Sequence, residues 1–199
     1  MEINSKYVTV IIIMATFFII SFITNIIGPI IPEFIKIFDL NLSLASFLPL
    51  SFFLAYGIFS IPAGLNIEKF GGKKILIFCF LISFFGAFII SIFPNYVSLV
   101  ISFFLIGTGM AILQVVINPL LRIAVSGENF AFYSIIGQLV FGFASFLSPK
   151  IYSLFIFYKD EINMIMINKM PWISIYWIFS IISILMIIII SNIKFQKIK

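Results

Sequence analysis

Gln114, Asn118 and Arg122 stand at i, i+4 and i+8 of one apolar run, so a helix there carries all three on one face. The two carboxamides offer paired donors and acceptors, the chemistry that binds the hydroxyl groups of a neutral polar solute. Pro119 has no N–H to return to the carbonyl of Val115, so the helix loosens beside the amides. In the next apolar run Gln138, Gly142, Ser145 and Pro149 again share one side, and Gln138 can complete a polar site with the first pair. Gly137 and Gly142 read as positions of close helix packing. In the first run Asn25 falls near mid-depth, and Gly28, Pro29 and Pro32 follow it as a bend. Two readings of these amides compete: they line a wet cavity, or they join helices to one another. Three polar groups on one stripe favour the cavity. Tyr56 and Phe141 are aromatic candidates for the same site, whereas most of the other aromatic residues serve to face lipid.

The elements that must position these residues follow from composition. Hydrophobic residues make up 63% of the chain, charged residues 10%, and mean hydropathy is +1.27, so lipid is the solvent for most of it. Apolar runs fall at about 7–34, 43–65, 75–93, 96–125, 130–157 and 171–191, each long enough to cross the hydrocarbon as a helix. The predicted fold class is therefore an all-α membrane protein, a single six-helix transmembrane bundle over residues 1–199. The first run continues far beyond the apolar core of a signal peptide and lacks an Ala-x-Ala exit, so it reads as a retained helix. Asn25 with Gly28-Pro29 in helix 1 is echoed by Asn118-Pro119 in helix 4, and Pro62 in helix 2 by Pro149 in helix 5. That is the pattern of two inverted three-helix repeats; the competing reading is that glycine and proline are common in membrane helices anyway. Pro29, Pro119 and Pro149 are the expected helix bends.

Catalysis is not expected. The sequence has no histidine, and Cys79 is its only cysteine. The seven acids, Glu2, Glu33, Asp39, Glu68, Glu128, Asp160 and Glu161, all lie in connections or near helix ends. No Ser/His, paired-Asp or metal constellation falls at membrane depth, so no enzyme, metal site or cofactor is predicted. The net charge of +5 is scattered over short connections and makes no basic face, which argues for orientation in a lipid bilayer and against a nucleic-acid partner. With the N-terminus cytoplasmic, that side holds Lys6, Lys69, Lys73, Lys74, Arg122, Lys194, Lys197 and Lys199, and the other holds Lys36, Lys150, Lys159 and Lys169. Eight against four places both termini inside.

The connection after helix 2 runs Gly64-Leu65-Asn66-Ile67-Glu68-Lys69-Phe70-Gly71-Gly72-Lys73-Lys74. Its spacing resembles the loop 2–3 signature of the major facilitator superfamily: Gly, an acid four positions on, a base, Gly, and bases. Glu68 stands where Asp is usual, and Gly72 where a base is common. The resemblance implies a conformational latch made by Gly64, Glu68, Lys69, Gly71, Lys73 and Lys74, with Glu68 pairing neighbouring helix ends in one state of the cycle. Pro32-Glu33-Phe34, Ser60-Ile61-Pro62-Ala63-Gly64, and Gly107-x-Gly109-x-x-Ile112-Leu113-Gln114-x-x-x-Asn118-Pro119, with Gln138 and Gly142, are similar to the fucose permease group. That likeness spans helix 1 to the tail after helix 6, but covers the first half of a twelve-helix family member.

The resemblance implies a secondary transporter, or half of one, in the cell inner membrane, moving a hexose such as fucose, glucose or galactose by alternating access. Its substrate-binding residues would be Asn25, Gln114, Asn118 and Gln138. The alternatives are export of a drug or metabolite, and a truncated remnant that transports nothing. Fucose permeases carry a carboxylate in helix 1 and another in helix 4, where this chain has Gly28 and Gln114. Proton coupling through this bundle is therefore not expected; facilitated diffusion, sodium coupling or a carboxylate on a partner half remain open. The implied partner, beyond the sugar, is a separate six-helix half or a second copy in a homodimer.

Overall fold

The computed structural model describes residues 2–125, 127–158 and 171–193, and for residues 2–6, 66, 68 and 171 the backbone alone. Six long helices fill it: α1 (Glu2–Ile37), α2 (Leu42–Phe70), α3 (Gly72–Ile92), α4 (Tyr96–Val125), α5 (Phe130–Phe157) and α6 (Pro171–Asn192). All six are long and apolar enough to cross a membrane. The expected connection between helices 5 and 6, residues 159–170, lies outside the described residues.

The punctuation is local chemistry. Asn41 and Asn95 begin α2 and α4, their Oδ1 atoms accepting the N–H of Leu44 at 2.8 Å and of Ser98 at 2.9 Å. The connection from α2 to α3 is shorter than the charge pattern suggests. Nothing in Asn66-Ile67-Glu68-Lys69 breaks a helix, so α2 runs on to Phe70. Gly71 alone makes the turn at φ +76°, a conformation that a Cβ disfavours. The helices also run unbroken through Pro29, Pro119 and Pro149.

Helix α4 is the hub, packed against α1, α2 and α3, while α3 also packs on α6 and α1 on α5. Small residues let backbones approach. A Cβ on Gly107 would lie 2.5 Å from the Phe52 carbonyl oxygen of α2, and one on Gly109 would lie 2.7 Å from the Cys79 carbonyl oxygen of α3. On the other side of the bundle a Cβ on Gly137 would meet the Phe17 ring at 2.8 Å. Ser21 Oγ donates to the Phe141 carbonyl at 2.6 Å and Ser148 Oγ to that of Phe22 at 2.7 Å, stitching α1 to α5. Gly142 is corrected by the structure: nothing lies within 4 Å of a Cβ built there, so it does not serve helix packing.

The neighbour pattern is the expected pair of three-helix repeats. Helix α2 lies on α4 as α5 lies on α1, and α1–α4 and α3–α6 are the self-paired contacts. The repeat is imperfect at one place. Helix α3 packs along α4, but α6 meets α1 through an aromatic cluster at one end, where Phe34 and Trp172 stand edge to face at 4.9 Å. Below it, a wholly apolar cavity of about 310 Å³ lies among α1, α5 and α6, lined by residues that include Phe18, Phe22, Phe155 and Phe179.

Candidate functional site

Burial separates the helices into two kinds. Within the most apolar stretch of each helix, 50–61% of residues are buried in α1, α3, α4 and α6, but 22% in α2 and 11% in α5. Helices α2 and α5 therefore flank an uncovered face. Phe53, Leu54, Ile58 and Ile61 of α2 and Ile135, Leu139, Phe143 and Phe146 of α5 are exposed apolar residues on these flanks.

The amide-bearing positions come from α1, α4 and α5, three helices that touch pairwise. Gln114, Asn118 and Gln138 are exposed and Asn25 is half-buried, as is Ser145, while Gly28 and Gly142 are exposed with open space beyond them. None of the four amides bonds to another helix among the described residues. Asn25 Nδ2 donates to the Ser21 carbonyl at 2.8 Å, within its own helix, and Asn118 Nδ2 reaches the Gln114 carbonyl at 3.5 Å. Arg122 is exposed one turn beyond Asn118.

Interhelix contacts fix the register. Phe17 against Gly137 and Ser21 on Phe141 set α1 and α5 parallel, so Gln138 lies level with residues 17–18 of α1. Asn25 is thus displaced from Gln138 by two turns, roughly 10 Å along the helix axis. Phe52 against Gly107 and Gly64 against Val115 set α2 parallel to α4. Helices α1 and α2, consecutive spans joined by a short connection, run antiparallel, and the Thr24 Oγ1 and Tyr56 Oη pair at 3.5 Å sets their register. Carried through these contacts, Gln114 falls within about one turn of the level of Gln138. The structure therefore places Gln114 and Asn118 each within about one turn of the level of Gln138, with Asn25 two turns from Gln138.

The turn between α2 and α3 is held in a way the sequence did not signal. Lys73 Nζ donates to the carbonyls of Ser191 at 2.7 Å and Ile193 at 2.8 Å, capping the end of α6. Partners 118 and 120 residues away leave no local pattern to read. Lys69 and Lys74 are exposed, Gly64 touches α4 through Val115, and the side chain of Glu68 lies outside the described residues. The Thr24–Tyr56 pair, half-buried beside Asn25, also escaped the sequence reading as a pair, although Tyr56 itself did not. Among the described residues no three His, Cys, Asp or Glu side chains gather where they could hold a metal ion.

Comparison with known proteins places this geometry. No curated protein matches the sequence. The family model described as Major Facilitator Superfamily matches residues 13–195. The proton:xylose symporter XylE, solved with 6-bromo-6-deoxy-D-glucose bound, superposes with a TM-score of 0.80 at 13% identity, over 98% of this chain and 46% of its own. The fucose:proton symporter FucP of E. coli, solved as a point variant, gives a TM-score of 0.75 at 20% identity, over 96% and 50%. FucP in the outward conformation gives 0.76 at 20% identity, over 98% and 51%. The chain spans about half the length of these structures. With its six apolar helices, its paired three-helix repeats and a family match over nearly all its residues, this multi-pass membrane protein belongs to the major facilitator superfamily and has the fold of its N-terminal six-helix half.

Proposed function

We propose that the chain is one six-helix body of a secondary transporter that moves a hexose by alternating access, and that its uncovered amide face lines the path. The observation that carries the reading is the exposure of Gln114, Asn118 and Gln138 on a bundle whose exposed surface is otherwise rich in Phe, Ile and Leu. An amide in lipid costs free energy, and an amide beside water and sugar hydroxyls does not. Gln114, Asn118 and Gln138, within about one turn of one another in depth, hold one solute, and Asn25 takes its hydroxyls toward one mouth. Pro119 frees the Val115 carbonyl as one more acceptor beside them. Support for a sugar comes from the neighbouring folds, which are symporters of xylose and of fucose.

A second six-helix body, separately encoded or a second copy, covers the apolar flanks of α2 and α5 and encloses the path. The turn of Gly64, Glu68, Lys69, Gly71, Lys73 and Lys74 latches one state. The lysine and arginine distribution sets both termini in the cytoplasm and the protein in the inner membrane. Gly28 and Gln114 stand where fucose permeases have acids, so the coupling ion is not a proton carried by those positions.

The test is uptake of labelled hexose by cells or proteoliposomes carrying the full assembly. Gln114→Ala or Asn118→Ala lowers uptake roughly tenfold, a loss of about 1–2 kcal/mol of hydrogen bonding, with membrane abundance unchanged. Undiminished uptake by both variants refutes the site.

A further inference from the structure

Beside the α2–α3 turn an open surface crevice of about 460 Å³ is lined by Phe70, Lys74, Ile75 and Phe78. Its chemistry is unlike that of the amide face: one cation at the rim and aromatic and aliphatic carbon below. Lys74 is in the first turn of α3, at the end of a span, so its ammonium sits at the depth of lipid headgroups. It makes no hydrogen bond or ion pair with any described residue, whereas its neighbour Lys73 is committed to the carbonyls at the end of α6. Phe78, one turn deeper, shares the face of Lys74, and Leu81, Phe85 and Ile92 continue it down the helix as exposed apolar side chains. The opposite side of α3 packs on α4 and α6, so this stripe points away from the bundle.

We infer that this crevice binds one anionic phospholipid, with Lys74 on the phosphate and an acyl chain lying along Phe78, Leu81 and Phe85. Charge complementarity selects the occupant: an ammonium above an apolar track matches an anionic headgroup above its own chain. The N-terminal N–H groups of α3 add to the positive field, since Gly71 supplies no side chain to cap them. The volume is in the range of small-ligand sites.

The purified chain, in detergent, is mixed with equimolar dioleoyl phosphatidylglycerol and dioleoyl phosphatidylcholine, and bound lipid is counted by native mass spectrometry. Phosphatidylglycerol is retained in preference. Lys74→Gln lowers its retention about fivefold, the worth of one lysine near an anionic lipid, and leaves phosphatidylcholine unchanged. Phe78→Ala weakens both lipids. Phe78 is exposed, so neither variant disturbs the core. Equal retention of the two lipids, or no effect of Lys74→Gln, overturns the inference. So does displacement by millimolar inorganic phosphate, which marks a free-anion site, or a dimer mass without lipid preference, which marks a second copy on the same face. The readout needs no transport, so it fails or succeeds independently of the proposed function.

Discussion

Two glycines that look alike in sequence should answer one substitution in opposite ways. A Cβ on Gly107 lands 2.5 Å from the Phe52 carbonyl oxygen and 3.0 Å from its Cα, both backbone atoms. Ordinary contact begins near 3.4 Å, so Gly107→Ala pushes α2 and α4 apart by several tenths of an ångström along the largest helix contact of the bundle. Overpacking of this kind costs about 1–3 kcal/mol. Gaining a residue that favours helix returns about 0.5–1 kcal/mol. The net is a loss centred on about 1 kcal/mol and of at most about 2.5 kcal/mol. At Gly142 nothing lies within 4 Å, so Gly142→Ala keeps only the propensity gain, about 0.5–1 kcal/mol of stabilisation. Titrating each purified variant with denaturant in detergent, with Trp172 and Trp177 as reporters, should separate them by about 2 kcal/mol in total. In uptake the order reverses: Gly142→Ala narrows the proposed path while leaving abundance intact. Equal shifts at the two positions, or a Gly107→Ala protein as stable as the parent, would refute the assignment of one glycine to packing and the other to the open face.

Three further outcomes follow from named contacts. Gln114→Ala and Gln138→Ala, within about one turn in depth across the proposed path, should be non-additive in hexose uptake by at least about 0.5 kcal/mol, whereas Asn25→Ala, two turns from Gln138, adds independently to Gln138→Ala. Lys73→Met removes two charge-assisted bonds to the end of α6, half-exposed and hence worth about 1–2 kcal/mol together. A cysteine introduced at Asn192 should then label faster with a membrane-impermeant maleimide, and Lys73→Arg should restore part of the protection. Cys79 is fully buried against Gly109, so it should resist N-ethylmaleimide until the bundle opens, and Gly109→Ala should raise its labelling rate several-fold.

The spans were legible because lipid makes a single demand, a long apolar helix, and composition answers it directly. Helix 5 was read with its observed limits, 130–157. The sequence reading erred where the choice depended on a partner. Gly137 and Gly142 sit five residues apart in one apolar run, and only the placement of Phe17 makes one a contact and leaves the other open. The stretch from Glu68 to Lys74 reads as a loop by its charge, yet charge does not end a helix at a membrane surface; a positive φ does, and Gly71 alone has it there. Asn25 reads as a free amide, but its Nδ2 has the Ser21 carbonyl one turn behind it as a partner. Lys73 was read as part of the latch, but its partners could not be, because the carbonyls it caps lie at the far end of the chain and only the packing of α3 on α6 brings them near.

The distribution of burial bears on where coupling must reside. The described carboxylates of this body sit near helix ends, with Glu33 half-buried in the last turns of α1 and Asp39 in the connection to α2, and the proposed path holds neutral amides from Asn25 to Asn118, with Arg122 one turn beyond. A neutral path can bind a sugar in both orientations of the cycle with equal ease, which permits exchange but gives no ion a reason to travel with the solute. Bias requires a group whose charge changes the relative stability of the two states, and the uncovered face between α2 and α5 is where such a group can approach from outside this bundle. Pairing the chain with a second body should therefore decide the energetics as well as the enclosure. Hexose flux through the assembly should follow a proton or sodium gradient when the partner carries a carboxylate facing Gln114 and Gln138. It should be gradient-independent when that carboxylate is replaced by its amide. Flux that stays coupled after the replacement would mean that this six-helix body holds the coupling group itself, and the neutral-path argument would fail.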